Sequence, residues 1–297
     1  MSGIRMHNGQ ALPSWPMRVL KGVVLLVVCA LVVLPFLGIV STSLAPRSQV
    51  QAEGGFVLIP EQITFEAYRA VLAGGVVAQA LRISVVVTVL GTALSLTTST
   101  LLAYGLSRPN LIGQRFLVLF VLFSLLFTPG LIPLYLVVKQ VGLLSSIWAL
   151  ILPSMISSFN VIVLRAFFMN LPAELTDAAR IDGASEWQIF SRIVLPLSKA
   201  VTAVVGLFYA VSYWNAFFNA LLYINDPSKW PLQMVLRMYV VNDGQLGQSD
   251  LAATETLPAQ PSVQMAILIL AMVPILLVYP FLQRHFTKGV LTGAVKG

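Results

Sequence analysis

The chain has 297 residues, of which 58% are hydrophobic and 10% are charged, and its mean hydropathy is +0.88. A soluble fold of this length needs more polar surface than that charged fraction provides, so the composition excludes an ordinary soluble domain. The formal net charge is +7, but the sequence contains no basic stripe interleaved with aromatic residues. We therefore expect no nucleic-acid partner.

Six segments are apolar enough to cross a bilayer, which takes about 20 residues of helix. They cover residues 20–42, 79–104, 116–138, 143–168, 200–224 and 263–283. Internal prolines, Pro129 and Pro153 among them, are expected to bend these helices. The sequence thus predicts an all-α membrane protein that consists of one transmembrane domain with six spans.

The positions of Lys and Arg predict the orientation, because cytoplasmic segments carry an excess of both. With both termini in the cytoplasm, 12 of the 18 basic residues lie in inner segments and six in outer ones. This places the tails 1–19 and 284–297 and the segment 170–198 in the cytoplasm. The apolar core of the first span, residues 23–40, is longer than the about 7–15 residues of a signal peptide, so we expect a retained anchor.

Residues that could carry out chemistry are scarce in this chain. It has one cysteine, Cys29, and two histidines, His7 and His285, so it offers no metal site or catalytic triad. No nucleotide-binding loop of the form G-x-x-x-x-G-K-[ST] occurs, and we expect no cofactor bound to this chain. The span centres lack charged residues, which argues against a proton-driven carrier. A sodium-coupled secondary carrier remains an alternative, because backbone carbonyls and hydroxyls can bind sodium.

The segment 170–198 is far more polar than its surroundings and predicts two short helices. Pro172 suits a first helical turn, and Asp182 with Gly183 forms a turn pair. Ser185 and Gln188 have the spacing of a capping box for the second helix. Physical reasoning leaves two roles open: the pair docks on a partner protein, or it rests on the inner leaflet.

The residues "DAARIDG", nine further residues and "IVLP" resemble the EAA signature of binding-protein-dependent ABC importer permeases. Asp177 stands where that family usually has Glu, and the rest of the signature has the family spacing. The resemblance implies that this segment docks in a groove of an ATPase subunit. The residues it implicates are Glu174, Asp177, Ala178, Ala179, Asp182, Gly183, Trp187 and Phe190.

Further motifs extend the resemblance over nearly the whole chain. "TFEAY", "ALRIS", "AYGLSR" and "PLQMVLR" resemble carbohydrate-type permeases, and "KGVLTGAVKG" is similar to alginate-type and other oligosaccharide importers. In the smaller maltose-transporter permease, a similar tail reaches into the ATPase dimer, which implicates Lys288, Gly293, Lys296 and Gly297. The resemblance implies a bacterial inner-membrane protein that works with several partners. They are a sister permease, two ATPase subunits carrying ATP and magnesium, an extracytoplasmic solute-binding protein and a sugar.

Candidate sugar-path residues lie in the fifth span. Ser212, Asn215 and Asn219 share one helical face, and polar residues at membrane depth usually face the bundle interior. Tyr209 and Tyr213 form an adjacent stripe on which sugar rings can stack, and Asn160 in the fourth span is a similar candidate. The alternative is that these polar groups hold helices together instead.

Overall fold

The computed structural model describes residues 6–7, 10–11, 15–109, 111–241 and 258–294, with the backbone alone for residues 6–7, 10–11, 279 and 281–294. The described residues are mostly helical, which agrees with the predicted all-α fold class. The other regular element among them is a short antiparallel pair, β1 (Met6–His7) and β2 (Gln10–Ala11), in which Met6 pairs with Ala11.

The helices occur in this order along the chain. They are α1 (Trp15–Leu44), α2 (Arg47–Ala52), α3 (Glu66–Leu72), α4 (Gly75–Ser107), α5 (Gln114–Leu126), α6 (Leu131–Gln140), α7 (Trp148–Ile151), α8 (Ser158–Met169), α9 (Ala173–Ile181), α10 (Glu186–Ile189), α11 (Leu195–Leu197), α12 (Lys199–Trp214), α13 (Phe217–Tyr223), α14 (Leu232–Leu236) and α15 (Gln260–Ala294). A 3₁₀ turn, Leu152–Ser154, follows α7. Two wider π turns, Phe190–Val194 and Arg237–Val241, follow α10 and α14.

Among the described residues, three helices are long and apolar enough to cross a membrane by themselves: α1, α4 and the Gln260–Val278 part of α15. Three further pairs reach the required length only together and are bent. The bend is 116° between α5 and α6, 49° between Trp148–Ser154 and α8, and 83° between Glu186–Leu197 and α12. The described part of the chain therefore holds three spans, or up to six if each bent pair crosses the membrane once.

Proline explains two interruptions within segments expected to be continuous spans. In segment 116–138, α5 and α6 are separated by residues 127–130, which include Pro129. In segment 143–168, Pro153 lies in the 3₁₀ turn before α8. A proline lacks the amide hydrogen that continues a helix, so the chain turns there. By contrast, α1 continues through Pro35.

The predicted fifth span, 200–224, is also interrupted, but without a proline. α12 ends at Trp214 and α13 begins at Phe217. Ala216 has φ −72° and ψ 57°, and the amide of Phe217 donates to the carbonyl of Asn215 at 2.7 Å. This geometry is an inverse γ-turn, which breaks the helical hydrogen-bond pattern at one residue.

The chain folds as two compact units, and the first comprises residues 1–71 and 254–269. Most apolar side chains of α1 are exposed in the single chain, as expected for a helix that faces lipid or another subunit. Its C-terminal end is anchored instead. The buried Thr42 hydroxyl accepts from the amide of Val57 at 2.9 Å, and Ser43 bonds the Tyr68 hydroxyl at 2.9 Å.

The second unit comprises residues 72–253 and 270–297, and its core lies where α4 packs against α8 and α12. Two tyrosines of α12 bond to α4: Tyr213 lies 2.7 Å from Ser95, and Tyr209 lies 2.6 Å from Ser99. Gly91 on α4 makes room for the Tyr213 ring, because a Cβ there would come within 2.8 Å of the ring atoms. The missing side chain at Gly91 therefore sets how closely α4 and α12 approach.

Replacement of Gly91 by Ala should lower the stability of the protein by about 1–3 kcal/mol, because the added methyl forces the Tyr213 ring aside. Gly105→Ala on the same helix is the matched control, since nothing lies within 4 Å of its Cβ position. It should be neutral or stabilising by up to about 1 kcal/mol. Thermal unfolding of the two variants in detergent measures the difference. Equal unfolding temperatures would contradict this packing.

Candidate functional site

The polar segment between α8 and α12 forms the predicted helix pair, joined at Gly183. The amide of Ala184 donates to the carbonyl of Ala179 at 2.9 Å, and the amide of Gly183 donates to the carbonyl of Arg180 at 3.0 Å. These two bonds form a Schellman motif, which ends α9 and requires a residue with positive φ. Gly183 provides it with φ +79°.

The predicted capping box at the start of α10 is confirmed. The Ser185 hydroxyl accepts from the amide of Gln188 at 3.3 Å, and the Gln188 side chain accepts from the amide of Ser185 at 2.8 Å. Both helices of the pair therefore have defined ends. The segment presents a fixed shape to its surroundings.

The outer surface of this helix pair is exposed in the single chain and mixes acidic with apolar groups. Its exposed members from the predicted docking set are Glu174, Asp177, Ala178, Asp182, Gly183 and Trp187. Two large apolar side chains stand out, since Ile181 is 87% and Trp187 is 64% exposed. Sequence reasoning missed Ile181, although an isoleucine directly before a polar Asp-Gly turn was the available signal.

Two members of the predicted docking set lie deeper. Phe190 is 3% exposed, and its ring packs 4.8 Å from that of Tyr104 and 5.5 Å from that of Trp187. Phe190 belongs to the apolar stripe of the second helix that packs onto the bundle in the single chain, and its role as a docking residue stays a prediction. Ala179 is half-buried against the same core.

The Glu186 carboxylate, also missed by the sequence reasoning, links the helix pair to the rest of the unit. It accepts a hydrogen bond from the Tyr104 hydroxyl at 2.7 Å and from Arg180 at 2.8 Å. Arg108 lies 3.7 Å from the same carboxylate, and its guanidinium stacks on the Tyr104 ring at 4.2 Å. The Tyr104 hydrogen bond, helped by Arg180 and opposed by partial burial, holds the pKa of the Glu186 carboxyl below its usual value.

A polar cavity of about 200 Å³ lies at the break between α12 and α13. Three of the predicted sugar-path residues, Ser212, Asn215 and Asn219, line it together, and Ser154 and Phe218 complete much of the wall. The side-chain amide of Asn219 donates to the Ser154 hydroxyl at 3.3 Å, and the side-chain amide of Asn215 donates to the carbonyl of Val211 at 2.9 Å. Because the γ-turn at Ala216 interrupts the helix, side chains before and after the interruption line the same cavity.

Of the other predicted sugar-path residues, Tyr209 and Asn160 are not among those that line this cavity. Tyr209 is 3% exposed, and its hydroxyl forms hydrogen bonds with the Ser99 hydroxyl and with the amide of Ser157 at 2.9 Å. It holds helices together in the single chain, and its role as a path residue stays a prediction. Asn160 is 5% exposed in the first turn of α8, and its role as a path residue likewise stays a prediction. Tyr213 borders the cavity, but its hydroxyl is bonded to Ser95.

The C-terminal residues implicated by the resemblance fall at the edge of the description. Lys288 and Gly293 lie in α15, of which only the backbone is described there. Lys296 and Gly297 lie outside the described residues. Their role stays a prediction.

Comparison with known proteins assigns a family to this arrangement. A family model described as "Binding-protein-dependent transport system inner membrane component" matches residues 70–292, which include the bundle, the cavity and the helix pair. The chain belongs to this family. It is an inner-membrane permease component of an ABC transport system.

Relatives and a solved structure support this placement. The chain is 46% identical over 274 residues to the polygalacturonan/rhamnogalacturonan transport system permease protein YtcP of Bacillus subtilis, covering 92% of this chain and 96% of that protein. Protein LplC of the same organism is also 46% identical, over 90% of each chain. A crystal structure of a bacterial ABC transporter that imports the acidic polysaccharide alginate matches with 28% identity and a TM-score of 0.80, over 93% of this chain and 100% of that one.

Cysteines introduced singly at positions 212, 215 and 219, after replacement of Cys29, should react with a small water-soluble thiol reagent in the membrane, because these positions line the cavity. A cysteine at Val205, which is 0% exposed on the same helix, is the control and should stay unlabelled. The labelled fraction is measured by a mass-shift assay on membrane vesicles. Protection of all three positions would contradict a water-accessible cavity.

Proposed function

We propose that this permease forms half of the translocation path of a sugar importer, with six spans and both termini in the cytoplasm. A sister permease supplies the other half, and two ATPase subunits drive transport by alternating access. ATP and magnesium bind to those subunits, and this chain carries no cofactor. An extracytoplasmic solute-binding protein delivers the sugar to the outer side.

The observation that carries this proposal is the exposed helix pair fastened to the helical bundle. The pair has a fixed shape, small residues at Ala178 and Gly183 that permit close approach, and exposed apolar side chains at Ile181 and Trp187. Large exposed apolar groups ringed by polar ones mark protein contacts. The acidic groups Asp177 and Asp182 beside them suit a basic rim on the ATPase groove. The tail with Lys288 and Lys296 is proposed to reach the same partner.

The cavity at the break in the fifth span supports a polar substrate. Hydroxyl and amide side chains at Ser154, Ser212, Asn215 and Asn219 suit the hydroxyls of a sugar, and the exposed ring of Phe218 suits its apolar face. Irregular backbone at membrane depth is tolerated where it lines a cavity. Similar proteins are named for polygalacturonan/rhamnogalacturonan and alginate, which supports an oligosaccharide as the substrate.

The same cavity supports a sister permease. Ser212 and Asn215 remain exposed in the single chain. Lipid offers no hydrogen bonds to the exposed parts of these polar groups, so water and a second protein surface suit them better. A heterodimer of two permeases supplies both.

Replacement of Gly183 by Trp should abolish recovery of the ATPase subunit with the permease. Nothing lies within 4 Å of the Gly183 Cβ position, so the indole would project into the space that the partner must enter. Gly183→Asn is the matched control, because Asn tolerates positive φ and adds a small side chain. Affinity pull-down from detergent measures the result. Full recovery of the ATPase with the Trp variant would contradict docking at this turn.

A further inference from the structure

One carboxylate holds together three elements that are distant in sequence. Glu186 opens α10, its partner Arg180 lies in the last turn of α9, and Tyr104 and Arg108 lie at the end of α4. One carboxylate oxygen accepts from Tyr104 at 2.7 Å, while the other accepts from Arg180 at 2.8 Å. Glu186 therefore connects both helices of the exposed pair to α4, beside the packing of Phe190 on the Tyr104 ring.

The same helix α4 reaches the wall of the polar cavity. Ser95 precedes Tyr104 by nine residues, which is about 14 Å along a helix. Ser95 bonds the hydroxyl of Tyr213, which borders the cavity next to Ser212. Ser99, between the two sites, bonds Tyr209 on α12. The end of α4 that holds Tyr104 is thus connected to α12 by hydrogen bonds and by close packing at Gly91.

We propose that Glu186 is a positioning residue for energy coupling, which makes the exposed helix pair and α4 move as one body and thereby transmits the movement of the ATPase subunits to the cavity. The inference rests on the proposed function and adds to it the residue through which the movement of the ATPase subunits is transmitted to the helical bundle. It also assigns α4 as the element that conveys the movement.

The burial of these groups favours this role over a purely structural one. The Glu186 side chain is 56% exposed and that of Arg180 is 43% exposed, so water can solvate both without this contact. Exposed ion pairs contribute little to folding stability. Tyr104, by contrast, is 9% exposed and packs on Phe190 and under Arg108, so its hydroxyl is held in place. We therefore expect the link to contribute only modestly to folding stability, while its position between the helix pair and α4 suits it to transmission.

The test uses the complete complex of both permeases, two ATPase subunits and the binding protein, reconstituted in liposomes. Tyr104→Phe keeps the ring and removes the hydrogen bond to Glu186, and Glu186→Gln removes the charge. Each should lower the sugar imported per ATP hydrolysed by about fivefold or more, the lower range of a typical coupling factor. Complex assembly, the unfolding temperature and hydrolysis without sugar should stay as in the wild type.

Matched controls and a double variant sharpen the test. Tyr135→Phe removes a hydroxyl with no hydrogen bond among the described residues, and Glu66→Gln removes an exposed carboxylate outside the helix pair; both should leave the ratio unchanged. The double variant Tyr104→Phe with Glu186→Gln should be no worse than the more impaired single variant, because both remove one link.

An unchanged ratio of sugar to ATP in both single variants overturns the proposal. Failure of the complex to assemble in both overturns it as well, because Glu186 would then belong to the fold or the docking surface. Multiplying defects in the double variant would show that Tyr104 and Glu186 act separately, which also overturns it. A wild-type complex whose hydrolysis ignores every sugar contradicts the proposed function itself, independently of the variants.

Discussion

The packing of α12 against α4 is the interaction on which the rest of the second unit depends. Two tyrosine hydroxyls bond two serines between these helices, and Gly91 lets the Tyr213 ring lie close to the α4 backbone. Hydroxyls at membrane depth need protein partners, since lipid offers none. The Tyr209 hydroxyl also accepts a hydrogen bond from the backbone amide of Ser157, so the start of α8 is fixed by the same packing. The positions of the cavity and of the helix pair follow from this arrangement.

This packing explains how a broken helix and a polar cavity persist in an apolar bundle. Because hydrogen bonds at Tyr209 and Tyr213 fix the position of α12, the helix can be interrupted at Ala216 while α12 stays in position. The break turns Asn215 and Asn219 toward Ser154 and opens the space that Ser212 also faces. At the other end of α4, Tyr104 and Arg108 meet the helix pair at Glu186. α4 therefore contacts both the exposed helix pair and a residue that borders the polar cavity.

Local signals predicted much of this structure from sequence. The Asp182–Gly183 turn and the Ser185–Gln188 capping box depend on neighbouring residues and were predicted correctly. The break at Ala216 was not, because no proline or glycine marks it. The burial of Tyr209 and Phe190 could not be predicted from the sequence either, because it depends on which helix packs against each side chain. The partner of Glu186 lies 82 residues away in the sequence, a pairing that no local pattern reveals.

The central claim is that this chain transports sugar only when ATPase subunits drive it. Liposomes containing the complete complex, with the binding protein and a labelled oligosaccharide on the outer side, test it most directly. ATP and magnesium on the ATPase side should produce sugar uptake in the absence of any ion gradient. A sodium or proton gradient without ATP should produce none. Uptake that follows the ion gradient and ignores ATP would contradict the account and establish a secondary carrier.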